Sequence, residues 1–367
     1  METIVTIFRE VRDPRDANAR HDCASMLFAT LVAMLCGCKS CVQISDFCEA
    51  NLDELSEFVD FAHGAPSHDC FSRLFRLLDP REMERAFSAF VGALREGLGL
   101  GPAEGVVAVD GKRLRRGYER GRKHFPPLMI SVWEQETRLS LATRTSDDGN
   151  EVKAVLEALK TVDLKGCVVT ADALHCHPAM AEAVLERGAH YALKLKGNNG
   201  PLYELARQTF EKIDAKGRAT FAETEEFSHD RHEYRRLTIA AAPKTGANMP
   251  GLVSFGRMQS RRQLQGRKAK ENTYYVAFSK RYTPACGLKI VRSHWAVENV
   301  LHWRVDVTFH EDESRTRKDH APGNLAVIRR IAIDILEKHP GEISIGRKMS
   351  KAAWSREYRC NLFTHMR

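Results

Sequence analysis

Three carboxylates sit where carboxylates are costly. Glu298 lies within VRSHWAVENVLHWRVDVTFHED (291–312), whose first half reads as a helix. Val291, His294, Trp295, Glu298, Leu301 and His302 recur at helical spacing and share one largely apolar, aromatic face. A buried carboxylate is unfavourable unless it is paired or binds a metal. Asp110 and Asp172 each close a short β-branched run, VVAVD (106–110) and CVVTAD (167–172). A buried strand that delivers a carboxylate at its C-terminal end is how an α/β sheet builds a site at its edge. Together the three acids offer hard oxygen ligands, the kind Mg²⁺ takes while keeping several waters.

The surroundings suggest what such a centre would act on. Asp110 opens a segment (110–123) with seven basic residues and, beyond Asp110 itself, one acid. An acidic site wrapped in cations suits a phosphodiester, because metals neutralise charge on the reacting phosphate while lysines and arginines hold the backbone. Lys112, Arg113 and Arg115 are the nearest candidates, and Lys196 and Asn198 end another strand, HYALKLKGN (190–198). In HDRHEYRR (229–236), His229, Arg231, Glu233 and Arg235 alternate and project from one strand face, either a solvated charged face or a polar site beside the acids. Arg292 and Arg304 flank Glu298. His294, Glu298 and His302 also raise zinc, but their spacing spans roughly 12 Å along a helix, too far for one ion. Trp295 and Trp303 read as core aromatics, with base stacking as the alternative.

The elements that must position these groups fall into an α/β plan. Residues 1–98 read as an all-helical N-terminal domain and GLGLGPAEG (97–105) as a linker. Within the helical part, Ser67 and Asp79 predict two capped helices joined by a short turn, either an ordinary hairpin or a helix-turn-helix in which Arg73 and Arg76 reach phosphates. Residues 106–199 and 283–340 predict a mixed sheet covered by helices, split by a strand-rich insertion over 200–282. The insertion carries GRMQSRRQLQGRKAK (256–270), with six basic residues and no acid, read as a solvated or phosphate-contacting loop. NLAVIRRIAIDILEKHP (324–340) reads as an amphipathic helix on the sheet, and 341–367 as a tail with one terminal helix.

Composition narrows the class. The 367 residues are 43% hydrophobic and 28% charged with net charge +8, a soluble chain suited to a polyanionic partner. The most apolar stretch, 25–38, is too short to span a bilayer, and the N-terminus lacks the pattern of a signal peptide. Ten scattered cysteines fit reduced thiols of a cytoplasmic protein. Cys36, Cys38 and Cys41 form a cluster at the end of an apolar helix, read as core packing or, alternatively, zinc.

Taken in order, VVAVDGKRLR, VVTADALHCH, YALKLKGNN, HDRHEYRR and HWAVENVLHWRVDVTFHEDESR resemble the DDE transposases of bacterial insertion sequences, specifically the ISAs-type family that includes the H-repeat-associated proteins. The resemblance begins at DPR (13–15), takes in GAPSHDCFSRLFRLLDP (64–80) and covers nearly the whole chain. It implies an RNase H-like core in which Asp110, Asp172 and Glu298 bind two Mg²⁺ ions, with Mn²⁺ able to substitute. It further implies binding of the element's terminal inverted repeats, cutting, and joining to target DNA, by a homodimer on the DNA. The superfamily's tyrosine, arginine and lysine around the glutamate are replaced here by Val291, His294 and Val305, with Arg292 and Arg304 as nearby substitutes. The insertion has no tryptophan, though Tyr274 and Tyr275 are available. The alternatives are a transposase-derived DNA-binding protein without catalysis, and a metal nuclease without strand transfer.

Overall fold

The computed structural model describes residues 1–367 except 119–125, 147, 218, 229–230, 245–247, 265 and 367, and for 198 the backbone alone. Local chemistry sets the helical N-terminal part: α1 (Glu2–Arg9), α2 (Cys23–Leu35), α3 (Cys41–Ala50), α4 (Leu52–Ser56), α5 (His68–Leu77) and α6 (Pro80–Gly97). Asp22, Ser40, Ser67 and Asp79 each accept a first-turn amide, and Pro80 starts α6. Every residue of α2 is buried, as its unbroken apolar run requires. α6 packs against α1 and against the sheet and central helix described below, while α5 packs against α3 and that central helix. Cys36, Cys38 and Cys41 pack against this helical core. Burial pushes their thiols up to about 12, 11 and 11, so they stay protonated.

The chain then builds β1 (Val106–Arg113), β2 (Leu128–Glu134), β3 (Leu139–Ser146), α7 (Glu151–Leu159), β4 (Val168–Ala171), α8 (Pro178–Leu185), β5 (His190–Leu195) and α9 (Gly200–Lys216). Four more strands follow, β6 (Phe221–Ser228), β7 (Arg231–Ala241), β8 (Ser254–Leu264) and β9 (Lys270–Phe278). The described strands form one nine-stranded mixed sheet in the order β3-β2-β1-β4-β5-β9-β8-β7-β6. The strands of 200–282 thus extend the sheet, with β9 pairing antiparallel to β5. The basic run at 256–270 belongs mostly to β8, so Arg257, Arg261 and Arg262 lie on a strand where a loop was expected. Apolar residues of α7, α8 and α9 cover one face of the sheet.

The other face receives α10 (Pro284–Ser293), α11 (Trp303–Phe309) and α12 (Ala321–Lys338). α13 (Ile345–Trp354) and α14 (Arg356–Asn361) complete the chain. The expected single terminal helix is two, because Ser355 leaves helical geometry and caps α14. The expected amphipathic α12 is instead a central helix, buried from Ala321 to Leu336, since the N-terminal helices cover the side that would otherwise meet solvent. Its charges are therefore enclosed. Arg330 lies 3.2 Å and Arg329 3.5 Å from Glu311, itself buried.

Burial holds the Asp334 carboxyl well above its usual range. The unfolded chain gives up that proton first, near pH 4, so this group's contribution is complete below that pH and is lost as pH rises through the folded value. Asp334→Asn is expected to raise the urea midpoint at pH 8 and flatten its pH dependence, each pKa unit of the shift being worth about 1.4 kcal/mol. An unchanged pH profile would refute this.

Candidate active site

Strand register brings the first groups together. β1 and β4 run parallel and their pairing ends at Val109 opposite Ala171, which sets Asp110 and Asp172 as the next residues on neighbouring strands. β4 and β5 end likewise at Ala171 opposite Leu193, which sets Lys194 beside Asp172. Lys194 Nζ lies 3.2 Å from Asp172 Oδ1. β1 itself continues to Arg113, so Asp110 stands mid-strand rather than at a strand end; only its parallel partner stops there.

Glu298 arrives from above. The expected straight helix is broken at His294, and Val297–His302 is a π-helical turn before α11. π turns inside α-helices are frequent at functional sites. This one packs on β1, with Val297 and Leu301 buried beneath it. The negative charge of Glu298 is among the influences that push the Asp110 carboxyl up. Two histidines from the same stretch close the group. His302 Nδ1 is 3.4 Å from Asp110 Oδ2, and His294 Nε2 is 3.7 Å from Asp172 Oδ1 while its Nδ1 meets the Thr170 hydroxyl at 3.2 Å.

The two aspartates sit in opposite electrostatic settings. Burial, together with the negative charges of Glu298 and Asp172, pushes the Asp110 carboxyl up to about 6 against the opposing influence of His294. Asp172 is held well below the usual carboxylate range, chiefly by His294, then against burial by Lys194. His302 is driven down to about 3 by burial and by the charges of Arg330 and Lys112, so it is neutral. Among the described residues no three His, Cys, Asp or Glu side chains form a ready-made metal cage. The donor chemistry nonetheless suits a hard divalent cation: Asp110 and Asp172 follow the last paired residues of neighbouring parallel strands, and the buried Nε2 atoms of His294 and His302 lack hydrogen-bond partners.

The cationic candidates divide. Arg231, Arg235 and Arg292 line a groove of about 650 Å³ between β7–β9 and the Glu298 helix. They are tethered there by acids, Arg231 to Glu233 at 2.6 Å, Arg235 to Glu226 at 3.2 Å and Arg292 to Glu226 at 2.5 Å. Lys112 is buried and turned to Asp306 at 2.9 Å and Asp312 at 2.5 Å, an internal role the basic run did not suggest. Arg115 also reaches Asp312, at 3.2 Å. Arg304 is held by Glu337 of α12, Arg76 pairs with Asp319 at 2.7 Å, and Arg113, Arg73 and Lys196 are exposed. His229 and the side chain of Asn198 lie outside the described residues.

Lys194 is the neighbour that sequence reading passes over. Its signal is the alternation in HYALKLKGN, where Lys194 and Lys196 share a face and the first lies within the strand, one residue past the register partner of Ala171. Trp295 and Trp303 are 43% and 58% exposed, not core aromatics. Trp295 lies over Lys194, whose Nζ is 5.2 Å from its ring and 5.1 Å from that of Tyr274. Tyr275 faces away, stacked on Phe210.

This sheet edge lies within a known family. A family model described as a transposase DDE domain matches residues 101–335, and a model of the segment associated with that domain matches 5–91. The chain belongs to the DDE transposase family. It is 30% identical over 361 residues to the protein YbfL of Escherichia coli K12, covering 95% of this chain and 94% of that one. It is also 30% identical over 350 residues to YhhI of the same strain, named as an H repeat-associated transposase by provisional designation, covering 92% and 91%. YncI of Escherichia coli O157:H7, likewise provisionally a transposase by name, is 27% identical over 341 residues, covering 90% and 86%. No helix among the described residues is long and apolar enough to cross a membrane.

Proposed function

We propose that this chain is the transposase of an insertion sequence, which binds the terminal inverted repeats of its element, cuts the DNA there and joins the ends to target DNA. The observation that carries the reading is the edge where β1 and β4 end their pairing just before Asp110 and Asp172, with the turn that bears Glu298 packed on β1, inside the region matched by the DDE model. The first five strands, in the order β3-β2-β1-β4-β5 with β1, β4 and β5 parallel, support an RNase H-like core.

Asp110, Asp172 and Glu298 would hold two divalent cations, Mg²⁺ or Mn²⁺, whose Lewis acidity and charge would offset the negative charge developing on a phosphodiester. The protein's own part is positional and electrostatic. Lys194 and His294 keep Asp172 ionised, the form a ligand must take. Neutral His302 fixes the Asp110 carboxyl without adding a competing charge. Arg231, Arg235 and Arg292 offer phosphate contacts along the groove beside the acids, with Lys196, Arg113 and Arg115 exposed nearby on the ends of β5 and β1. The chain would act in the cytoplasm, as a homodimer pairing two ends.

The test uses purified protein and a linear DNA carrying the two ends that flank its gene, with a supercoiled plasmid as target. Metal-dependent nicking at the ends and joined products are expected with Mg²⁺ or Mn²⁺, and EDTA is expected to reduce both to background. Cutting without joining would mark a nuclease; tight end binding without cutting under any metal would overturn the enzymatic reading.

A further inference from the structure

After α11 the chain turns sharply at His310, whose φ is +52°, and runs through a largely irregular segment to α12. This segment and the N-terminal helices enclose a groove of about 900 Å³. Its walls come from both matched regions of the chain: Lys39 and Arg76 from the first, Arg315, Arg317 and Lys318 from the second. Arg76 is paired with Asp319, and Arg317 donates to the Arg116 carbonyl at 3.3 Å. The side chains of Lys39, Arg315 and Lys318 make no ion pair among the described residues, although such pairs are frequent elsewhere on this surface. The two acids in the wall, Asp69 and Glu313, each stand 3.3 Å from a histidine, His68 and His310. The first residues of α3 and α5 also line the groove, adding the partial positive charge of two helix N-termini.

We propose that this groove holds one phosphodiester strand of duplex DNA next to the cut, as a clamp that does not read sequence. The inference rests on the proposed function for the identity of the polyanion. Its connection to the acids is covalent and short: His302 touches Asp110, and Phe309 and His310 of the same stretch line the groove. Glu311 and Asp312, between them and the unpaired cations, are anchored to Lys112 on β1, two residues from Asp110. The groove therefore cannot shift freely against the acids. Unpaired cations and helix N-termini contact phosphate oxygens, which fix register without specifying bases.

The experiment measures binding of the full chain to two duplexes of equal length, one carrying the element's end and one unrelated, across a series of salt concentrations. The variants are Arg315→Ala/Lys318→Ala and, as a control of equal charge on the far edge of the sheet, Lys160→Ala/Lys165→Ala. Each phosphate contact contributes about 0.9 to the slope of log affinity against log salt. The groove variant is expected to lose about 2 from that slope on both duplexes, with the ratio between them unchanged and its melting temperature unaltered. A slope equal to wild type, an equal loss in the control, a loss confined to the end duplex, or tighter binding of an RNA duplex than of DNA would each overturn the clamp. Cutting by the wild type, read separately, decides the transposase reading, so failure of one is distinguishable from failure of the other.

Discussion

Asp110→Ala is expected to lower DNA cutting at the element's ends by about 10³-fold or more while leaving end binding within a few-fold of wild type. One preorganised group that stabilises transition-state charge is worth about 10²–10³ in rate, and under the proposed function the loss of Asp110 would remove a cation ligand as well. Stability should move the other way. In the free protein the Asp110 carboxyl is pushed up to about 6 by burial and by Glu298 and Asp172, so its presence strains the fold. Its removal relieves that cost, and the melting temperature should hold or rise, the trade between function and stability expected of a tuned site. Gel-based cleavage and differential scanning calorimetry on the same preparation read both. Loss of cutting together with loss of folding would assign Asp110 a structural role, and retained cutting would remove it from the site.

The second large effect lies in the support beneath the acids. Glu311 is buried, 3.2 Å from Arg330, 3.5 Å from Arg329 and 3.9 Å from Lys112. Breaking a buried pair by removing one partner costs about 3–5 kcal/mol, because the charge left behind has neither water nor a counter-ion. Glu311→Ala strands two buried arginines and is expected to lower the urea midpoint by that much in free energy. Burial alone would raise the Glu311 carboxyl; Arg330, Arg329 and Lys112 outweigh it and hold the group below its usual range. Its contribution is therefore present above the unfolded value, about 4.3, and is lost as pH falls through the folded one. Wild type should destabilise on acidification through that window, and Glu311→Ala should lack this limb of the curve. Because Lys112 and the segment 306–312 share the network, cutting should fall as well, and a Glu311→Ala chain of wild-type stability would show that the network is not what holds α12 in place.

Much of the frame follows from local patterns. The apolar runs ending at Asp110 and Asp172 branch as buried strands do, and the capping residues Ser67 and Asp79 mark helix starts that the structure keeps. Such signals depend on neighbours within a few residues, so the chain carries them in readable form. The order of motifs likewise sufficed to place the chain in its family. What tertiary structure decided are the properties that depend on partners far away in sequence. Lys112, a surface candidate by composition, is drawn inward by carboxylates about two hundred residues later. Trp295 and Trp303, apolar by type, are left exposed because their helix turns another face to the core. The helix at Glu298 yields a π turn that no periodicity announces. α12 buries two arginines and an aspartate because the N-terminal helices cover it. Lys194 meets Asp172 through the register of two parallel strands. Periodicity along a chain records which face can be buried; only the packed structure settles what buries it and which charges are thereby forced to find one another.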